Sequence, residues 1–322
     1  MPTNVKENGF ESSIVSWLVQ HNGYEQGSNA DYNKEIAMDE TQLFRFLNTT
    51  QADKMKQLRL ENDPLEKEKF LQRLDQSLHT NGVIDLLRKG FRYKHLVLDM
   101  FYVRPSPGNE TAAKLYAQNI FSVTRQLQYS RQNPLLALDV CLFLNGLPIA
   151  TMELKNQLTK QNAADAVKQY KDERTPDEVL FGFKRCIVHF AVDDNEVRMC
   201  TELKGQKSWF LPFNKGYNDG AGNPPNPDGI KTDYLWKEIL RKDDFSNIIE
   251  NYVQIICDED EETHKKSYKQ IFPRYHQLQL VTSLLADAKR DGVGKRYLIQ
   301  HSAGSGKSNS IAWLAHQLVT LK

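Results

Sequence analysis

The amino-acid sequence predicts an α/β protein in which a mixed β-sheet flanked by helices is followed by the start of a second α/β unit. Three observations predict this fold class. Apolar residues recur at helical spacing up to about residue 90, apolar runs bounded by turn residues indicate strands from there to about residue 203, and the chain closes with a strand, a glycine-rich loop and a helix. Because 322 residues exceed the size at which one core usually stops growing, we expect one complete domain and part of another.

Composition excludes several classes of protein. Hydrophobic residues make up 40% and charged residues 26% of the chain, no apolar run is long enough for a membrane span, and the first residues lack the order of a signal peptide. The 4 cysteines form no C-x-x-C pair, which argues against structural zinc and favours a reducing cytoplasm. The net charge of +1 means that any contact with nucleic acid must come from a local patch.

Local signals set the order of the elements. A helix is predicted to begin with Asp63 as its cap, Pro64 in its first turn and Glu66 completing a capping box, and to end at Gly82. Strands are predicted at 96–103, 120–129, 135–144, 147–155, 186–192 and 196–203, with a helix at 163–173. A loop rich in Gly, Asn and Pro at 214–233 precedes short helices at 234–241 and 244–253.

The charge pattern after these helices indicates a domain border. An acidic run changes sign at residues 265–266, which is typical of a solvated linker. We therefore predict a first domain at 1–257, a linker at 258–270 and an incomplete second domain at 271–322. In the second domain we expect a helix from about residue 274, a strand at 296–300, and a last helix running to Lys322.

The most informative feature is a β-hairpin around Asn145-Gly146, a pair that tolerates the positive φ of a tight turn. Its apolar strands carry Asp139 on the outgoing side and Glu153 and Lys155 on the return side. Charges inside such a sheet are costly unless they are paired, hydrogen-bonded or bound to metal, so their convergence points to phosphodiester hydrolysis with a divalent metal. A solvent-facing strand edge with a cross-strand salt bridge is the alternative.

Strand geometry gives this hairpin a specific requirement. With only a two-residue turn, Asp139 would pair with Met152, and Glu153 and Lys155 would point away from Asp139. A shared metal site therefore requires a β-bulge or a three-residue connection that brings Asp139 opposite Glu153. We predict such an irregularity.

The end of the chain has the context of a phosphate-binding loop, with a strand before residues 301–308 and a helix after them. The residues expected to hold the nucleotide are Gly304, Ser305, Gly306, Lys307 and Ser308. Lys307 would reach the β and γ phosphates of ATP, and the Ser308 hydroxyl would be a ligand of Mg²⁺. His301 departs from the general pattern, which has Gly there, and a loop that binds no nucleotide is the alternative. Upstream, Gln277 resembles the glutamine by which superfamily 2 helicases read adenine. The alternative is that Gln277 is an exposed residue of an ordinary helix start.

Asp139 with Glu153-x-Lys155 resembles the catalytic core of the PD-(D/E)XK nucleases. The resemblance implies that Asp139 and Glu153 hold Mg²⁺ together with the Leu154 carbonyl, and that Lys155 orients the attacking water or stabilises the developing negative charge. Many of these nucleases carry Gln and Tyr four residues apart on the next helix. Here Gln169 and Tyr170 are adjacent, so either Gln169 substitutes from the next turn or that contact is missing; a polar helix face is an equal alternative.

Basic residues cluster after the hairpin and are candidates for contacts with DNA phosphates, although a charged, solvated helix explains them as well. They are Lys155, Lys160, Lys168, Lys171 and Arg174.

The order of nuclease core, long loop, linker, Gln277 and phosphate loop is similar to the N-terminal part of the restriction (R) subunit of type I restriction-modification enzymes, over nearly all of the chain. Residues 185–193 and 210–216 also look like characteristic stretches of that subunit. The resemblance implies a PD-(D/E)XK domain followed by the truncated start of a RecA-like motor domain of the superfamily 2 helicase type. It implies an ATP-dependent endonuclease that translocates and cleaves unmethylated duplex DNA, with modification (M) and specificity (S) subunits as partners.

Two alternatives stay open at this point. One is another nuclease–helicase fusion, such as a type III restriction subunit or a repair nuclease, against which the nuclease-first order and the loop at 214–233 argue. The other is a nucleotide-gated DNA-binding scaffold with an inactive nuclease fold.

Overall fold

The computed structural model describes residues 5–156, 160–260, 262–292, 294–302 and 304–319, with side chains from residue 9. In these residues the helices α1 to α10 are Val5–Gln20, Glu40–Thr50, Ala52–Leu58, Pro64–Asn81, Val83–Lys89, Glu110–Tyr116, Ala163–Glu173, Lys242–Asn251, Tyr275–Asp291 and Lys307–Val319. The strands β1 to β13 are Glu25–Gln26, Tyr32–Asn33, Met38–Asp39, Phe91–Tyr93, Leu96–Leu98, Phe121–Gln128, Ala137–Leu144, Leu147–Leu154, Val188–Val192, Val197–Cys200, Leu211–Pro212, Gln254–Glu259 and Lys266–Ile271.

A seven-stranded mixed sheet is the centre of the fold, in the order β1-β6-β7-β8-β9-β10-β11. β6, β7 and β8 are antiparallel neighbours, whereas β8 and β9 run parallel, so the predicted mixed sheet is confirmed. Helix α7 packs on one face of the sheet, and α1 and α5 pack on the other. Because helices cover both faces, β7 and β8 are almost wholly buried, which explains why their apolar runs are nearly continuous.

The hairpin of β7 and β8 has the predicted irregularity. Asn145 and Gly146 form the turn with φ values of 52° and 82°. Partway along the hairpin the register shifts by one residue, so that β8 carries one residue more than β7 and Val140 pairs with Met152. The next positions along the two strands, Asp139 and Glu153, therefore lie opposite each other. This β-bulge confirms the register that a shared site requires.

Helix α4 shows where local signals decide the structure and where distant contacts override them. The Asp63 side chain accepts a hydrogen bond from the backbone N–H of Glu66 at 3.0 Å, as predicted for the cap. The capping box predicted for Glu66 is wrong, because its carboxylate instead accepts from the Tyr93 hydroxyl at 2.8 Å and pairs with Lys94. Gly82 ends the helix with a positive φ of 87°.

Three further predictions differ from the structure. The strand predicted at 96–103 ends at Leu98, because the following N–H, of Asp99, bonds the Gln51 side chain rather than a neighbouring strand. The segment predicted as a solvated linker, 258–270, is exposed over most of its length, but it is not irregular, since most of it lies in the hairpin of β12 and β13 and the sign change of its charges marks the turn. The domain border placed there stays a prediction. The strand predicted at 296–300 is not formed: no described strand pairs with it, and Leu298 is 97% exposed.

The remaining helices agree better with the sequence. The helix predicted at 163–173 is α7, the one at 244–253 is α8 shifted by two residues, and the one at 234–241 is a shorter π-helix, Leu235–Ile239. Ala303 of the glycine loop and residues 320–322 of the last predicted helix lie outside the described residues. In the part of the chain that the structure describes, no helix is both long enough and apolar enough to cross a membrane.

Candidate functional site

An acidic site forms where β7, β8 and helix α7 meet. Side chains alternate along β8, so Thr151 and Glu153 point to the same face as each other, and Lys155 follows them beyond the strand. The Thr151 hydroxyl bonds the Tyr170 hydroxyl of α7 at 2.8 Å, which identifies this as the α7 face of the sheet. The bulge brings Asp139 opposite Glu153, and the structure thus assembles the carboxylates that the sequence predicted.

Asp139 is held by backbone and by a neighbouring amide. Its Oδ2 accepts a hydrogen bond from the Leu154 N–H at 2.8 Å, and its Oδ1 accepts from Gln126 Nε2 at 3.2 Å. The same Gln126 amide donates to Glu11 on α1 at 2.7 Å, so a third carboxylate lies one side chain away from Asp139. Gln126 has a φ of 46°, an uncommon backbone conformation for a residue inside a strand and typical of functional positions.

Glu153 is fully enclosed, and only one of its oxygens has a partner. Oε1 accepts from Arg174 Nε at 2.6 Å, whereas Oε2 is buried without a hydrogen bond. Burial, and then the nearby Asp139 carboxylate, raise the pKa of Glu153 to about 8, against the opposing effect of the Arg174 charge. A buried oxygen without a donor is unusual in a folded protein and suits a cation.

The Arg174 side chain lies in the interior, so its expected contact with DNA phosphates, or with solvent on a helix face, is wrong. It is 2% exposed and lies at the end of α7. Besides Glu153, its guanidinium donates to the Tyr129 hydroxyl at 2.8 Å and to the Ala137 carbonyl at 2.9 Å. Arg174 therefore connects β7, β8 and α7 directly beneath the acidic site.

The other predicted residues lie around this pair of carboxylates with differing contacts. Lys155 is half-buried and close enough to Glu153 for its charge to lower the pKa of that carboxyl, although other effects prevail. Tyr170 is buried, and burial raises its pKa well above the ordinary value. Gln169 bonds Glu173 at 3.3 Å while its Oε1 is buried without a partner, so its amide is not tied to either carboxylate.

Sequence reasoning missed a supporting layer that includes His189 on β9. Its Nδ1 lies 2.7 Å from the Thr151 hydroxyl, which also contacts Tyr170. Burial lowers the pKa of His189 to about 3, so the ring is neutral at physiological pH and can serve as a hydrogen-bond partner. A histidine in a fully apolar strand was the available signal. Glu11, Gln126 and Arg174 gave no comparable signal.

Whether a metal fits here can be judged from the donor set. No group of three or more His, Cys, Asp or Glu side chains converges in the described residues. Two carboxylates suffice for Mg²⁺, which keeps several waters and is commonly held by one or two carboxylates and substrate phosphates. The partnerless Glu153 Oε2 supplies the oxygen that such an ion needs. The residues present therefore fit Mg²⁺.

The glycine loop near the end of the chain lies at the start of helix α10. Gly304 and Gly306 have φ values of 71° and 78°, and Lys307 Nζ turns back to the carbonyls of His301 and Ser302 at 3.2 and 3.0 Å. A glycine-rich loop before a helix can bind an anion through backbone N–H groups and the helix N-terminus. In this loop the Ser305 N–H bonds the Ser302 carbonyl at 3.3 Å, and nucleotide binding stays a prediction.

The Gln277 side chain contacts the backbone of this loop. Its Nε2 donates to the Ser305 and Gly306 carbonyls at 3.1 and 2.9 Å, and its Oε1 accepts from the Arg274 N–H at 2.8 Å. A cavity of about 460 Å³ adjoins Gln277 and Gly306. Adenine reading by Gln277 stays a prediction, and it would require one of these bonds to be exchanged. Ser308 is exposed in the first turn of α10.

Comparison with known proteins identifies the family of the chain. Residues 4–208 match the family described as type I restriction enzyme R protein N terminus. A protein of Methanocaldococcus jannaschii named as a type I restriction enzyme MjaVIIIP endonuclease subunit is 24% identical over 212 residues, which cover 62% of this chain and 18% of that protein. The chain thus spans about a fifth of the length of this relative. The matched region contains the bulged hairpin and helix α7, and this chain belongs to the family of type I restriction enzyme R proteins, in their N-terminal part.

Proposed function

We propose that the site formed by Asp139, Glu153 and Lys155 cleaves duplex DNA with Mg²⁺, as the nuclease of a type I restriction enzyme. The observation that carries this proposal is the β-bulge, which brings Asp139 opposite Glu153 on the α7 face. The name of the archaeal relative, an endonuclease subunit, supports the same activity. An inactive nuclease fold would have no need for a buried carboxylate oxygen without a partner, which costs free energy of folding.

In this proposal the residues of the chain have separate tasks. Asp139 and Glu153 would hold Mg²⁺, which supplies an activated water and stabilises charge on the phosphate. Lys155, at the open end of β8, orients that water or donates to the oxygen that becomes negative. Thr151 and Tyr170 hold α7 against the sheet through their hydroxyl contact, which keeps Glu153 in place. Gln169 is not assigned a step, because its only described partner is Glu173.

The test is Lys155→Ala in the full restriction complex. Removing the ammonium is expected to lower DNA cleavage by at least about a hundredfold while ATP-driven movement along DNA persists, because Lys155 acts only on the reacting phosphate. Lys114→Ala removes an exposed lysine of α6, remote in the chain from the site, and is the matched control with normal cleavage. Unchanged cleavage by Lys155→Ala would refute the assignment of Lys155.

We also propose that residues 304–308 bind ATP and that a motor drives the nuclease. The positive φ of Gly304 and Gly306 and the inward turn of Lys307 support nucleotide binding. Lys307→Ala in the full complex is expected to abolish ATP-dependent translocation, measured by displacement of a triplex on DNA, and persistence of movement would contradict it. Association with M and S subunits, and action in the reducing cytoplasm with its cysteines unpaired, are parts of the same proposal.

A further inference from the structure

We propose that Arg174 is a positioning residue that holds one oxygen of Glu153 and leaves the other as the single oxygen that this carboxylate offers to a divalent cation. The inference rests on the proposed nuclease function and deepens it. In this inference Arg174 makes Glu153 bind the metal through one oxygen only. The site thereby prefers small cations such as Mg²⁺ and Mn²⁺.

The first support is the way the guanidinium is fixed. Its Nε, Nη1 and Nη2 donate to Glu153 Oε1 at 2.6 Å, the Tyr129 hydroxyl at 2.8 Å and the Ala137 carbonyl at 2.9 Å. These acceptors lie on three different segments, and the side chain is 2% exposed. Because the guanidinium is planar and rigid, it cannot turn away from Glu153 without losing the other bonds. Oε1 of Glu153 is therefore committed to Arg174.

The second support is the hydrogen bonding of the other carboxylate oxygens of Glu153 and Asp139. Glu153 Oε2 is buried and has no hydrogen-bond partner. Asp139 Oδ2 accepts from the Leu154 N–H at 2.8 Å, whereas Oδ1 has only a longer contact of 3.2 Å with Gln126. Each carboxylate thus has one oxygen held firmly by the protein and one that is free or weakly held.

This arrangement favours one class of cation. Mg²⁺ is small, demands regular geometry and takes single oxygens from one or two carboxylates while keeping its waters. Ca²⁺ is larger and readily takes both oxygens of a carboxylate. A Glu153 that can bind through Oε2 alone therefore disfavours Ca²⁺. Residues that hold a metal ligand from behind typically change metal affinity by 10- to 100-fold when they are mutated.

The test measures cation binding to the full chain by calorimetry, first with Mn²⁺ and then with Ca²⁺. Arg174→Met, which keeps volume but removes charge and donors, is expected to weaken Mn²⁺ binding by about 10- to 100-fold and to weaken Ca²⁺ binding less, so that the Mn²⁺/Ca²⁺ preference falls. Arg174→Lys, with one ammonium that cannot reach all three acceptors, should shift the preference in the same direction.

A matched control separates this role from general stability. Arg185 is also buried and bonds Asp75 at 2.7 Å, and none of its described partners belongs to the site. Arg185→Met should lower the melting temperature and leave Mn²⁺ affinity within about twofold of the unmodified chain, because an ion pair that shares no partner with the site acts on stability alone. Should Arg174→Met fail to fold, as judged by circular dichroism, Arg174→Lys carries the comparison.

The outcomes distinguish the inference from the function beneath it. Loss of Mn²⁺ binding in Asp139→Asn establishes that the measured ion occupies the proposed site. If the unmodified chain has no Mn²⁺ binding that Asp139→Asn removes, the metal site and the inference both fall. Another outcome is that the unmodified chain binds Mn²⁺ at this site while a folded Arg174 variant keeps both the affinity and the Mn²⁺/Ca²⁺ preference within about twofold. Because a supporting residue is expected to change metal affinity by more than that, such a result overturns only the role of Arg174.

Discussion

The buried carboxyl of Glu153 should make the stability of the metal-free chain fall as pH rises. In the unfolded chain a glutamate titrates near 4.5, whereas burial followed by repulsion from Asp139 raises the pKa of Glu153 to about 8 in the fold. The folded state therefore keeps a proton that the unfolded state has lost. This contribution to stability is complete below the unfolded pKa and is lost as pH rises toward the folded pKa.

The magnitude follows from the linkage of protons to unfolding. One proton held only by the folded state changes the free energy of unfolding by about 1.4 kcal/mol per pH unit, so from pH 5.5 to 7.5 the loss is about 3 kcal/mol. Urea denaturation in EDTA at several pH values measures this loss. Because other groups titrate as well, the quantity to follow is the difference between the unmodified chain and Glu153→Gln, which cannot titrate at this position.

Glu173→Gln is the matched control, since Glu173 also contacts the Arg174 guanidinium, at 3.4 Å, but is half exposed. Its stability should follow that of the unmodified chain across the same pH range. If the difference between Glu153→Gln and the unmodified chain is constant from pH 5.5 to 7.5, Glu153 is ionised throughout, and the reasoning from its burial is refuted.

Two further pairs of substitutions test the framework of the site. Thr151→Val leaves the Tyr170 hydroxyl and His189 Nδ1 without their shared partner and should lower the free energy of unfolding, measured in urea, by about 2 kcal/mol or more. Thr151→Ser keeps the hydroxyl and should cost much less. Equal losses in the two variants would contradict the role of the hydroxyl. Gly146→Ala places a Cβ 2.4 Å from the Asp39 carbonyl at a φ of 82°, whereas Gly108→Ala has a similar φ of 87° and open space. Both should lose about 1 kcal/mol for the backbone conformation, and Gly146→Ala should lose clearly more; similar melting temperatures would show that the turn can shift.

Sequence reasoning could predict the bulged hairpin because chemistry and geometry conflicted there. Asn145-Gly146 indicated the turn, and the alternation of side chains showed that a regular register would separate Asp139 from Glu153. Only an extra residue could reconcile the two, and the structure accommodates it on β8. The requirement came from neighbours within one hairpin, where local rules are most reliable.

The residues that the sequence did not reveal contact the site from far along the chain. Arg174 lies 21 residues from Glu153, and Gln126 lies 115 residues from Glu11. Arg174 follows the charged residues 171–173, a composition that is typical of a solvated helix end, and nothing local shows that its guanidinium turns inward. The strand predicted at 296–300 was wrong for a related reason. An apolar run indicates that a segment can form a buried strand, but a strand also needs a neighbouring strand to pair with, and the run alone does not show whether one is present.

The hairpin and helix α7 therefore determine different properties of the acidic site. The bulge decides which face of β8 carries Glu153, since a shift of one residue would move the carboxylate to the opposite face of the sheet. It does not decide which carboxylate oxygen is free, because that depends on Arg174 at the end of α7. A defect in the hairpin should consequently remove the site altogether, together with much of the core packing. A defect at Arg174 should leave the site in place and change which cation it prefers.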